Sequence, residues 1–166
     1  MTERLFDRIR AIDTDTHITE PRGLWTDRVS TQKWGDAVPH VKQMGGRDVW
    51  FIRDQMVGSP GYTTMAGFNG SVPDAPRGFD DIPKSSWDAR ARLAHMDAEG
   101  IHAQVLYPNV GGFGSGGFLK LGEPELMLEC VRAYNDFLVE WCSTDPARLV
   151  PVAEMPFWDV KECVKE

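Results

Sequence analysis

Strand-like and helix-like patterns alternate along the second half of this chain, and that alternation restricts the fold more than any other feature. Met127, Cys130, Val131, Tyr134, Phe137, Leu138 and Trp141 recur at spacings of 3, 1, 3, 3, 1 and 3. This is the stripe of an amphipathic helix running from Pro124 to about Cys142. Pro124 suits the first helical position, and Asp145-Pro146 ends the element. A second helix is expected from Ser86 as N-cap, with Asp88 in its first turn and Gly100 as its stop. Strands are expected at 9–13, where Ile9, Ala11 and Asp13 alternate with Arg10 and Ile12, at 103–107 and at 149–153. A last helix should begin near Trp158, with Val160 and Val164 on one face. Strands joined by helices pair in parallel through right-handed crossovers, so the class is α/β.

The segment between the first strand and the first helix breaks this rhythm. Residues 20–47 are loop-like, with Pro21, Gly23, Pro39 and Gly45-Gly46. Residues 48–52 and 55–58 form a hairpin turning at Arg53-Asp54. Residues 58–84 hold five Gly and four Pro, which suits a lid, with Phe68 or Trp50 as an apolar wall over a pocket. Five glycines in 111–117 make a flexible loop.

With 166 residues, 42% of them apolar, the chain is large enough to bury a core. The net charge of −7 and the lack of any Lys/Arg run argue against nucleic acid or an anionic membrane as partner. The first eight residues lack the apolar region of a signal peptide, and no run approaches the roughly 18 apolar residues of a spanning helix. Cys130, Cys142 and Cys163 form no CxxC, so reduced thiols and a cytoplasmic location are expected.

The chemistry gathers at Asp13-Thr14-Asp15-Thr16-His17. In a strand, residues two apart share a face, so Asp13, Asp15 and His17 point one way if the strand persists. A carboxylate and an imidazole so placed can grip a divalent cation, which lowers the pKa of bound water to about 7 or polarises a substrate oxygen. The alternative is that these side chains decorate a turn. Two other motifs compete: the Asp-x-Asp-x-Thr/Val of haloacid-dehalogenase phosphatases, whose last position is His17 here, and the short glycosyltransferase DxD at Asp13–Asp15.

Together with Glu20-Pro21, this motif resembles the opening of the amidohydrolase superfamily, in the branch of aminocarboxymuconate semialdehyde decarboxylase and γ-resorcylate decarboxylase. The stretch from Trp87 to Ile101 resembles that family's first barrel helix, and Val105-Leu106-Tyr107-Pro108 its second strand. Asn135-Asp136-Phe137 and Pro146-Ala147-Arg148-Leu149 resemble its second helix and the entry to its third strand. The resemblance implies about three βα units from the N-terminal part of a (β/α)8 barrel. Residues 1–166 would form a single partial barrel domain, with an inserted lid and hairpin over about 20–84. Asp15 and His17 would be first-strand metal ligands, for Zn or Mn, with Asp13 a hydrogen-bonded acid behind them. Glu20, Tyr107, Asn109 and Glu154, at the C-terminal ends of strands, would contact substrate. Tyr107 has packing as its plainer role, and Glu154 the capping of the helix after Pro156. His40, His95 and His102 read as structural.

Barrels of this kind need about 250 residues, and this chain offers three of the eight strands. The family's remaining ligands and its catalytic His and Asp come from later strands, so no catalytic residue is assigned within the chain. The expected function is the N-terminal fragment or subunit of a metal-dependent hydrolase or decarboxylase acting on a small carboxylic acid or amide. A second chain or self-association would complete it. The alternatives are a non-catalytic half-barrel that works by association and a phosphatase using Asp13 and Asp15.

Overall fold

The structure is a computed structural model that describes residues 9–71, 73–112 and 116–166. The expectations for the first eight residues, and for the centre of the glycine-rich loop at 113–115, fall outside the described residues. Strand β1, Ala11–His17, opens the chain. The elements that follow before the first long helix are a one-turn helix α1 (Thr31–Trp34), β2 (His40–Met44), β3 (Arg47–Ile52), β4 (Gln55–Gly58) and a second short turn α2 (Pro60–Thr63). Helix α3 (Ala89–Glu99), β5 (Ile101–Tyr107), the short α4 (Gly116–Leu119), α5 (Pro124–Cys142), β6 (Leu149–Pro151) and α6 (Val160–Lys165) complete it.

Two three-stranded sheets result among the described residues. β1, β5 and β6 form a parallel sheet in that order, and β2, β3 and β4 an antiparallel one. Helix α3 links β1 to β5 in the alternation that the sequence led us to expect, and α5 links β5 to β6. The cap of α3 is Asp88 rather than Ser86: its carboxylate accepts from Ala91 N at 2.8 Å, while Ser86 belongs to a 3-10 turn. Gly100 stops the helix at φ 73°, a left-handed conformation that an L side chain resists. Helix α5 has the expected bounds, and its stripe, from Leu126 to Trp141, is buried.

Two expectations need correction. Residues 20–47 are not all loop: they include α1 and β2, whose sequence His40-Val41-Lys42-Gln43-Met44 is polar because it pairs on one side only among the described residues. The first strand is not 9–13. It runs to His17 and contains a bulge, since Asp13 faces Gln104 and Thr16 faces Leu106, so three steps in β1 match two in β5. The extra residue breaks the two-residue alternation between Asp13 and His17.

One core joins the sheets. Trp25, from the loop after β1, packs edge-on against Trp50 of β3 (5.2 Å between ring centroids) and Phe118 of α4 (5.8 Å), and its indole N–H donates to the Cys130 carbonyl on α5. Ile18, Leu106, Leu126, Val131, Tyr134, Leu138 and Leu149 fill the space between α5 and the parallel sheet. The antiparallel unit is tied to the chain around it by Asp48, which is 2% exposed. Its carboxylate accepts from Arg22, Gln43 and the Phe79 N–H, and its backbone carbonyl from Ser59 Oγ.

Candidate functional site

His17 closes β1 half-buried. Its Nδ1 lies 3.0 Å from the Pro108 carbonyl oxygen, just past β5, and its ring packs 5.9 Å from that of Tyr107. A carbonyl can only accept, so Nδ1 carries a proton and donates it. Histidines that hold metals are oriented in this way, with the second nitrogen donating to a carbonyl or carboxylate. Asp15 is exposed, and its backbone N–H is held by Asp13 Oδ1 at 3.2 Å. Asp13 Oδ2 in turn accepts from Gln104 Nε2 at 3.1 Å. The donor chemistry at Asp15 and His17 fits two ligands of a metal set. Among the described residues no third His, Cys, Asp or Glu joins them.

Glu20 and Asn109 are brought together. Glu20, 1% exposed, accepts from the backbone N–H groups of Asn109 (2.7 Å) and Val110 (2.9 Å), and the Asn109 amide donates to the Ile18 carbonyl. Burial pushes the Glu20 carboxyl above its ordinary range, against the pull of those two N–H groups. The loop after β5 is thereby fastened to the loop after β1. Glu154, also buried, comes to the same loop from beyond β6: a Cβ on Gly111 would fall 1.8 Å from Glu154 Oε1. Tyr134 of α5 lies near both acids, and burial together with their charges raises its phenol far above the usual value.

Two cavities among the described residues touch this site, and another lies under the insertion. One of about 30 Å³, lined by Glu20, Trp50, Thr63 and Asn109 among others, has room for about one water and none for a substrate. A larger one, about 350 Å³, reaches from Asp13, Thr16 and His17 to Thr64, Ser86 and Arg92. Phe68 lines a third, with Arg47, Asp74 and Arg77. Trp50 and Phe68 therefore belong to different cavities.

Residues that the sequence did not mark as part of the site hold much of this arrangement. Arg92 is 5% exposed, and burial lowers its pKa, with the charge of Asp13 acting in opposition. Asn135 of α5 grips the backbone of Glu154. Their only signal was a polar residue among apolar neighbours on a helix, which a solvated face produces equally well.

No protein-family model matches the sequence, and no curated protein matches it. Solved structures do. An amidohydrolase from Mycobacterium avium subsp. paratuberculosis K-10 superposes with a TM-score of 0.69 at 22% identity, over 95% of this chain and 46% of that one. A 2,6-dihydroxybenzoate decarboxylase from Rhizobium gives 0.46 at 17% identity, over 95% of this chain and 33% of that one, a looser likeness below the level at which a shared fold is established. The chain thus shares the fold of part of the first of these structures and spans about half of its length.

Proposed function

We propose that this chain is the N-terminal part of a metal-dependent amidohydrolase-type enzyme, a hydrolase or a decarboxylase of small carboxylic acids or amides. Asp15 and His17 supply two ligands to one divalent ion, Zn or Mn, and a second chain or another copy supplies the rest. The observation behind this reading is the hydrogen bond from His17 Nδ1 to the Pro108 carbonyl, which holds the ring as metal-binding histidines are held. The amidohydrolase fold agrees with it.

A bound ion of this kind supplies an activated water or polarises a substrate oxygen. The chain's own residues hold geometry. Pro108 orients the His17 ring, while Glu20 and Asn109 keep the loops after β1 and β5 at a fixed separation. Tyr107 lies beside the His17 ring and is the expected substrate contact that the geometry leaves accessible, whereas Glu20 and Glu154 are buried and Asn109 ties the loops at these strand ends.

The test is metal analysis of the natively purified material, with mass measurement of every polypeptide in it. One tightly held divalent ion per copy is expected, lost in Asp15→Ala and His17→Ala. A native preparation that holds no divalent ion, or variants that keep it in full, would overturn the reading.

A further inference from the structure

Among the described residues the buried guanidinium of Arg92 has no direct carboxylate partner, and burying a charge in this way is costly unless every donor is met. Here all are met. Nε donates to the Ser85 carbonyl (2.5 Å), Nη1 to Thr16 Oγ1 (3.4 Å) and Gln104 Oε1 (3.1 Å), and Nη2 to the carbonyls of His17 (3.0 Å) and Ser86 (3.4 Å). The guanidinium carbon lies over the ring of Trp141, 5.9 Å from its centroid. Gln104 relays the charge to Asp13: its oxygen accepts from Arg92 and its amide donates to Asp13 Oδ2.

These acceptors belong to three separate stretches of chain: the end of β1, the 3-10 turn Lys84–Ser86 where the long insertion returns, and β5. Thr19 N also donates to the Ser86 carbonyl, so the insertion's exit is bonded to the chain on both sides of Ile18. We propose that Arg92 is a positioning residue for the metal site. It fixes the backbone of His17 from the α3 side while Pro108 fixes the ring from the β5 side, and it makes that position depend on how the insertion's exit is seated. This role rests on the reading of His17 as a metal ligand. Lysine cannot replace the arginine, because three donors on one nitrogen cannot reach five acceptors spread around a planar fork.

The experiment measures Mn2+ dissociation constants by competition with a chelator on the natively purified protein, with thermal melting of each variant alongside. Arg92→Lys should stay folded and bind Mn2+ about tenfold more weakly, the usual scale for loss of a group that orients a ligand. Asp88→Ala removes the α3 cap without touching His17, and should lower the melting temperature while leaving the constant unchanged. If Arg92→Lys does not fold, Gln104→Leu takes its place: it removes one acceptor from Arg92 and the donor to Asp13, and the same weakening is expected. A folded variant within twofold of wild type overturns the positioning role, and so does an equal weakening in Asp88→Ala. Wild-type protein without Mn2+ affinity overturns the metal reading itself, and the positioning role with it. The two failures are therefore distinguishable.

Discussion

The side-chain amide of Asn135 accepts from Glu154 N at 2.8 Å and donates to Glu154 O at 2.9 Å, a two-point clamp between α5 and the stretch beyond β6. Both backbone groups would otherwise need partners in a site where the Glu154 side chain is buried. Asn135→Leu keeps the branched shape and deletes both bonds, together with an exposed one to Glu166 Oε2. Each unmet group costs about 1–3 kcal/mol, so a total loss of about 2–6 kcal/mol is expected in denaturant unfolding. Asp136→Ala, at the exposed neighbour, should stay within about 0.5 kcal/mol of wild type.

Glu20 gives the protein a pH dependence of known sign. Its carboxyl titrates above the ordinary 4.5 in the folded chain because burial disfavours the charge. Where the unfolded chain has lost this proton, the folded chain still holds it. The residue's stabilising contribution is therefore complete below 4.5 and is lost as pH rises through the folded value. Glu20→Gln offers the same acceptor to Asn109 and Val110 with no charge to bury. Its unfolding free energy relative to wild type should rise between pH 4.5 and 7. A difference that stays flat across that range would contradict the assignment.

Asp48 should control the antiparallel sheet more than the parallel one. Asp48→Ala strips acceptors from Gln43 and Phe79 N, each bond to the charged group worth about 1.5–3 kcal/mol, and from the half-exposed Arg22, whose pair adds little, so a loss of about 3–6 kcal/mol is expected. Hydrogen exchange should accelerate across β2, β3 and β4 well before it does in α5 or β5.

Gly111 is held by a close approach rather than by its backbone angles. A methyl group there would sit on the buried Glu154 carboxylate. Gly111→Ala should cost about 1–3 kcal/mol, the range for overpacking a filled site, read as a lowered denaturation midpoint.

The helices were legible in the sequence because their signals are local. The α5 stripe and Pro124 mark that helix without help from the rest of the chain, and Gly100 marks the end of α3. The hairpin of β3 and β4 was visible for the same reason. β2 was not, because a polar strand with one bonded neighbour carries no alternation; it exists through its pairing with β3. The bulge between Asp13 and Thr16 was invisible too, since only the register against β5 creates it. The candidate pair Asp15 and His17 could be read from spacing, whereas Arg92 could not. A guanidinium whose acceptors lie 6 to 76 residues away in sequence leaves no mark at its own position.

The pairing of β1 with β5 joins residues 91 positions apart, as Asp13 and Gln104 illustrate. The antiparallel sheet between them is made of near neighbours in sequence. Local contacts form quickly, and closing a long loop must come before any distant pair is rewarded. The intervening sheet should therefore assemble first and bring the ends of its own loop together. In that order of events the insertion acts as an internal template for folding, and the segment that bears His17 reaches its place last.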